Sequence, residues 1–144
     1  KEGTEYVKIV EDIVKSKFKD NNVFLRGVVF ENELLKELLD SSLFVHSSYI
    51  DNSPNSVCEA QLIGLPVIST NVGGVSTLIK DGFDGFLVPS NEPHILAFKI
   101  MELYNSPNIL ELISLNAKNT AKSRHDRDKI KNNLLEIYKE IRNK

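Results

Sequence analysis

Apolar positions along this chain alternate between two rhythms. From Thr4 to Lys19 they recur at helical spacing, with Tyr6, Val7, Val10, Ile13, Val14 and Phe18 on one side and lysines on the other. Asn21 and Asn22 break that pattern. Val23 to Val29 is apolar and β-branched and predicts a strand interrupted by Gly27. Glu31 to Asp40 predicts a short helix that turns Leu34, Leu35, Leu38 and Leu39 inward. A second strand is expected from Leu43 to Ser48. A helical pattern around Glu59 ends at Gly64, and a third apolar run follows at Pro66 to Thr70. Val75 to Lys80 suits a short helix closed by Asp81 and Gly82, and Phe86 to Pro89 a short strand that the proline stops. Helices are then expected over Ser90 to Tyr104 and over Pro107 to Lys122. A basic, polar break at Ser123 to Arg127 precedes a last helix with Ile130, Leu134, Ile137, Tyr138 and Ile141 in line. Strands alternating with helices predict an α/β fold with a Rossmann-like parallel sheet and flanking helices.

The stretch from Phe44 to Gly74 concentrates the chemistry. It reads as strand, acidic loop, helix, strand and glycine turn, and doubly wound sheets bind ligands beyond the carboxyl ends of such strands. Ser53 is the expected N-cap, with Pro54 in the first helical turn. The N–H groups of Asn55 and Ser56 would then face outward at the positive end of the helix dipole, where a phosphate is stabilised. Asp51 and Glu59 flank this helix start with seven residues between them. Two carboxylates repel a phosphate but accept sugar hydroxyls well, through charge-assisted bonds. The junction suits a ligand that is both sugar and phosphate.

These residues resemble the donor-binding, C-terminal domain of the retaining glycosyltransferases with the GT-B fold, the group 1 family. That family carries two glutamates seven residues apart, the second in a helix reading E-A-x-x-x-G-x-P-V-I. Here the match is Glu59-Ala-Gln-Leu-Ile-Gly-Leu-Pro-Val-Ile68, followed by Val72-Gly-Gly74 and Asp81-Gly-Phe-Asp-Gly-Phe-Leu-Val-Pro89. The resemblance extends over essentially all of residues 1–144. It implies transfer of a sugar from a nucleotide-sugar donor, UDP- or GDP-linked, to an acceptor hydroxyl with retention, in cell-surface polysaccharide or glycoconjugate synthesis. It implies catalytic contacts from Glu59, to the ribose hydroxyls, and from Asp51, to the donor sugar. Asp51 stands where the family has glutamate, so its carboxylate reaches about 1.5 Å less. Asn52, Ser53, Asn55 and Ser56 replace the family's G-F-G loop as substrate contacts. Gly73 and Gly74 would allow close backbone approach to the ligand, and the main chain at Gly27 and Val28 would line the nucleobase pocket.

The family's donor domain begins with two further strands and a loop bearing an arginine and a lysine that hold the diphosphate. Neither is in this sequence, and the missing strands would lie between the Val23 and Leu43 strands. The expectation is an N-terminally truncated, partial domain over residues 1–144, inactive alone, with the acceptor held by an absent N-terminal domain. A stable chain would need those strands from a segment outside this sequence, from another chain or from a rearranged sheet. Two rivals remain: a nucleotide-sugar epimerase of the same fold, whose acid/base set is not visible, and a non-catalytic nucleotide- or sugar-binding module.

Composition adds exclusions. A formal charge of −2 and 41% hydrophobic residues give no reason to expect nucleic acid or an anionic membrane. Cys58 is the sole cysteine, so no internal disulfide can form, which suits a reducing, cytoplasmic setting with membrane contact at most peripheral. His46, in an apolar strand, is expected as a hydrogen-bonded core residue, and His94 and His125 as solvent-facing. No ligand spacing is present, so neither a metal nor a cofactor beyond the donor is expected. Cys58 is expected buried, and the Lys/Arg-rich last helix as a solvated face that alternates with Glu136 and Glu140.

Overall fold

A computed structural model describes residues 2–18 and 22–143, so the expectations for Lys19, Asn21 and Lys144 lie outside the described residues. The chain divides into two compact units, Lys1–Leu35 and Lys36–Lys144. The first contains helix α1 (Glu2–Lys17) and an irregular segment that leads into helix α2 (Glu31–Leu39). The expected strand at 23–29 does not form. A strand exists through its ladder, and this segment has no ladder partner among the described residues. Most of its apolar side chains remain open to solvent, Val28 at 87% and Phe24 at 75% exposure. The inward face expected of α2 is also corrected. Only Leu38 is buried, while Leu34, Leu35 and Leu39 are exposed.

The second unit is built on three parallel strands in the order β1 (Phe44–His46), β2 (Val67–Thr70), β3 (Phe86–Val88). Helix α3 (Asn55–Ile63) crosses from β1 to β2, and a 3₁₀ turn (Val75–Thr77) lies on the path from β2 to β3. Helices α4 (Pro93–Tyr104), α5 (Pro107–Arg124) and α6 (Arg127–Arg142) complete the order. The central strand β2 is buried at every position, as a parallel strand covered on both faces must be. Its alternation splits the core in two. Val67 joins Val57, Ala60, Val75 and Ile79, whereas Ile68 packs with Val88 and Leu103.

Strand register gathers the polar residues. His46 stands opposite Ser69, and Thr70 opposite Val88, so the polar residues that end β1 and β2 meet at the carboxyl end of the sheet. Helix α4 begins at Pro93 rather than Ser90, because Asn91 takes a left-handed φ of 68° just before a proline suited to the first helical position. Helix α5 runs two residues past its expected end, through Arg124. Helix α6 is capped by Asp126, whose carboxylate accepts from the N–H groups of Asp128 and Lys129, and it buries none of its side chains. No helix among the described residues is long and apolar enough to cross a membrane.

Candidate functional site

The loop from β1 to α3 carries Asp51 away from the carboxyl end of β1, and Glu59 follows within α3. Capping differs by one residue from expectation. Pro54, not Ser53, is the N-cap, with an extended ψ of 116° and no side-chain cap bond. The Pro54 carbonyl accepts from Val57 and Cys58, which leaves the N–H groups of Asn55 and Ser56 as the outward donors of the first turn. The Ser53 N–H instead donates to Asp51 Oδ1 at 3.1 Å, a local Asx turn.

Asp51 is held from a second side. Its Oδ2 lies 3.3 Å from His46 Nε2, and the two side chains keep 31% and 13% of their exposure. His46 Nδ1 is in turn 3.1 Å from the hydroxyl of fully buried Ser69, which also lies 3.1 Å from the Thr70 carbonyl. The bonding of His46 fits its place in an apolar strand; its bridge to Asp51 was not expected. Thr70 adds a brace, donating its hydroxyl to the Ser48 carbonyl at 2.5 Å.

Gly73 and Gly74 make a close approach, but to the chain itself. A Cβ at Gly73 would collide with the Asp51 carbonyl oxygen, and one at Gly74 with that of Asn52. Gly73 also adopts a φ of +50°, which favours glycine. The glycine pair thus clamps the acidic loop between β1 and β2.

Glu59 lies on the exposed side of α3, four residues after Asn55 and three after Ser56, so all three share a face. The opposite face is anchored by Val57, Ala60 and Gln61, each fully buried. Gln61 is the residue that sequence reasoning missed. Its amide nitrogen donates to the carbonyls of Leu78 and Asp84, and its Oε1 accepts from Arg124 Nη2 at 2.5 Å. Arg124 Nη1 also donates to the Leu78 carbonyl at 2.8 Å. The expected polar break at 123–127 therefore hides a strut. A glutamine on the apolar stripe of α3 was the available signal. Gly64 ends the helix at φ 85°, and Ser114 donates to its carbonyl.

Structure thus brings together Asp51, Asn52, Ser53, Asn55, Ser56, Glu59, Gly73 and Gly74 in the second unit. Gly27 and Val28 belong to the first. Cys58 is half-buried against the core, where a buried thiol was expected. His94, 3.3 Å from Glu92, and His125 are exposed. Among the described residues no three His, Cys, Asp or Glu side chains are grouped to hold a metal ion. A hollow of about 110 Å³ sits over the strand ends, lined by Ser47, Tyr49, Thr70, Asn91, Glu92 and Leu96 among others. It contains neither carboxylate and is too small for a nucleotide sugar.

Residues 3–120 match the model of the glycosyl transferases group 1 family. The chain belongs to that family. It is 27% identical, over 97% of its length, to an uncharacterized glycosyltransferase of Methanocaldococcus jannaschii, and it spans 39% of that relative. Over 90 residues it is 31% identical to the Escherichia coli UDP-Gal:alpha-D-GlcNAc-diphosphoundecaprenol alpha-1,3-galactosyltransferase, covering 62% of this chain and 23% of the enzyme. Among solved structures it is similar to Anabaena HepE in complex with UDP-glucose, with a TM-score of 0.82, 25% identity, and coverage of 95% of this chain and 37% of HepE. The group 1 family and the α/β, parallel-sheet fold are as the motifs led one to expect. The chain spans well under half the length of these relatives.

Proposed function

We propose that this chain supplies the donor-binding half of a retaining glycosyltransferase that moves a sugar from a UDP- or GDP-linked donor to an acceptor hydroxyl. The observation that carries the reading is the start of α3: two outward N–H groups, an anchored but accessible Asp51, and an exposed Glu59 one turn along the same face. Glu59 accepts from the ribose hydroxyls. The N–H groups of Asn55 and Ser56, at the positive end of the helix, receive the diphosphate. As the glycosidic bond breaks, charge grows on that leaving group, and preorganised donors stabilise it more than they stabilise the bound donor. Asp51, with Asn52 and Ser53, orients the sugar ring, which lowers the entropic part of the barrier. HepE in complex with UDP-glucose and the galactosyltransferase relative support a nucleotide-sugar donor.

The acceptor is bound by a separate N-terminal domain, so residues 1–144 alone do not transfer sugar. The setting is the cytoplasmic assembly of cell-surface polysaccharide, without a metal cofactor. The test is release of nucleoside diphosphate by the intact protein from a panel of UDP- and GDP-sugars with lipid-linked and free sugar acceptors. Glu59→Ala and Asp51→Ala should each lower kcat/KM by about 10–100-fold, the worth of a hydrogen bond to a charged group. Wild-type rates in both variants, or transfer by the 144-residue chain alone, would contradict it.

A further inference from the structure

We infer that His46 is a positioning residue for the donor sugar, acting through Asp51. The inference rests on the reading of Asp51 as the sugar-contacting carboxylate. Asp51 has a short side chain on a loop, so something must fix where its carboxylate points. The Asx turn with Ser53 holds one oxygen, but loop and bond can move together. His46 holds the other oxygen from a strand, 3.3 Å away. Its ring is itself fixed by register opposite Ser69, which has no exposure. A line of polar contacts thus runs from the exposed rim into the sheet, through Asp51, His46, Ser69 and the Thr70 carbonyl.

The proton inventory of that line keeps its outer end constant. A carboxylate beside Nε2 requires a proton on that nitrogen. With neutral His46, Nδ1 is bare and the Ser69 hydroxyl donates to it at 3.1 Å. With protonated His46, Nδ1–H donates to the Ser69 oxygen, and the hydroxyl turns to the Thr70 carbonyl, also at 3.1 Å. Either state keeps the proton on Nε2, the nitrogen 3.3 Å from Asp51 Oδ2. Each carboxylate oxygen then has one protein partner and keeps a lone pair for a sugar hydroxyl. His46 is no general base for the acceptor, because its ring is 13% exposed and its outer nitrogen is committed to Asp51. Its effect should be felt by the sugar and not by the nucleotide.

The experiment is a calorimetric titration of the intact protein with UDP-glucose and with UDP. His46→Leu should weaken UDP-glucose about three- to tenfold, the scale of one ordinary polar contact, while leaving UDP within about twofold. His46→Gln, which restores an N–H toward Asp51, should recover most of that loss. In an Asp51→Asn background His46→Leu should cost little more, since coupled residues are not additive. Equal losses for both ligands, no recovery in His46→Gln, or additivity with Asp51→Asn would each overturn the inference. Glu59→Ala separates the two levels. If it leaves UDP affinity unchanged, the donor-site reading itself fails. If it weakens UDP while His46→Leu is silent toward UDP-glucose, only the role of His46 fails.

Discussion

The segment at 22–30 and the strand pair β1–β2 carry similar apolar density and lead opposite lives. The first leaves Phe24, Val28 and Phe30 exposed to 75%, 87% and 76%, whereas β2 buries Val67, Ile68 and Ser69 completely. Both contain β-branched residues. What separates them is neighbours. Strand β2 has a parallel partner on each side and helices over both faces, while the segment at 22–30 has no ladder partner among the described residues. An apolar run specifies a surface that wants covering, and the covering comes from elsewhere in the fold.

That contrast can be probed by mutation of the 144-residue chain and chemical denaturation. Ile68→Ala should cost about 2–5 kcal/mol, as for a fully buried aliphatic side chain, while Phe24→Ala should stay within about 0.5 kcal/mol. Comparable costs at the two positions would mean that the segment at 22–30 is packed after all. Next comes Gly73→Ala, where an added Cβ meets the Asp51 carbonyl at a φ of +50°. About 3 kcal/mol is expected, the left-handed penalty plus a displaced loop. Arg124→Ala removes charged donors from Gln61 and the Leu78 carbonyl and should cost about 1.5–3 kcal/mol. An unchanged midpoint there would deny the strut any role in holding α3. The smallest effect belongs to Gly27→Ala, whose φ of +64° is also left-handed but whose surroundings are empty. It should lose only about 1 kcal/mol, the backbone share alone. A Gly27→Ala loss as large as that of Gly73→Ala would remove the distinction between the two turns.

Much of the second unit was legible because local and global signals agree there. Gly64 ends α3, Pro66 to Thr70 gives the central strand, and Asp81 to Pro89 gives the turn into β3. That Asp51 and Glu59 sit on either side of the start of α3 was legible from spacing and the helical pattern. What was not legible depends on distant partners. The bond from Ser53 to Asp51 shifts the cap to Pro54. The approach of His46 to Asp51 requires β1 and β2 in register. Gln61 and Arg124 lie 63 positions apart and meet only when α5 packs on α3. Glycines 73 and 74 signal a turn in sequence, but that they clamp the Asp51 loop is visible only in three dimensions.

The most direct test of the central claim is the affinity of the intact protein for UDP and GDP, measured for wild type and for Glu59→Ala. If Glu59 holds the ribose from the exposed face of α3, one of the two nucleotides binds and the substitution weakens it by about 1.5–3 kcal/mol. If either nucleotide binds equally well to both proteins, the first turn of α3 is not where the donor sits.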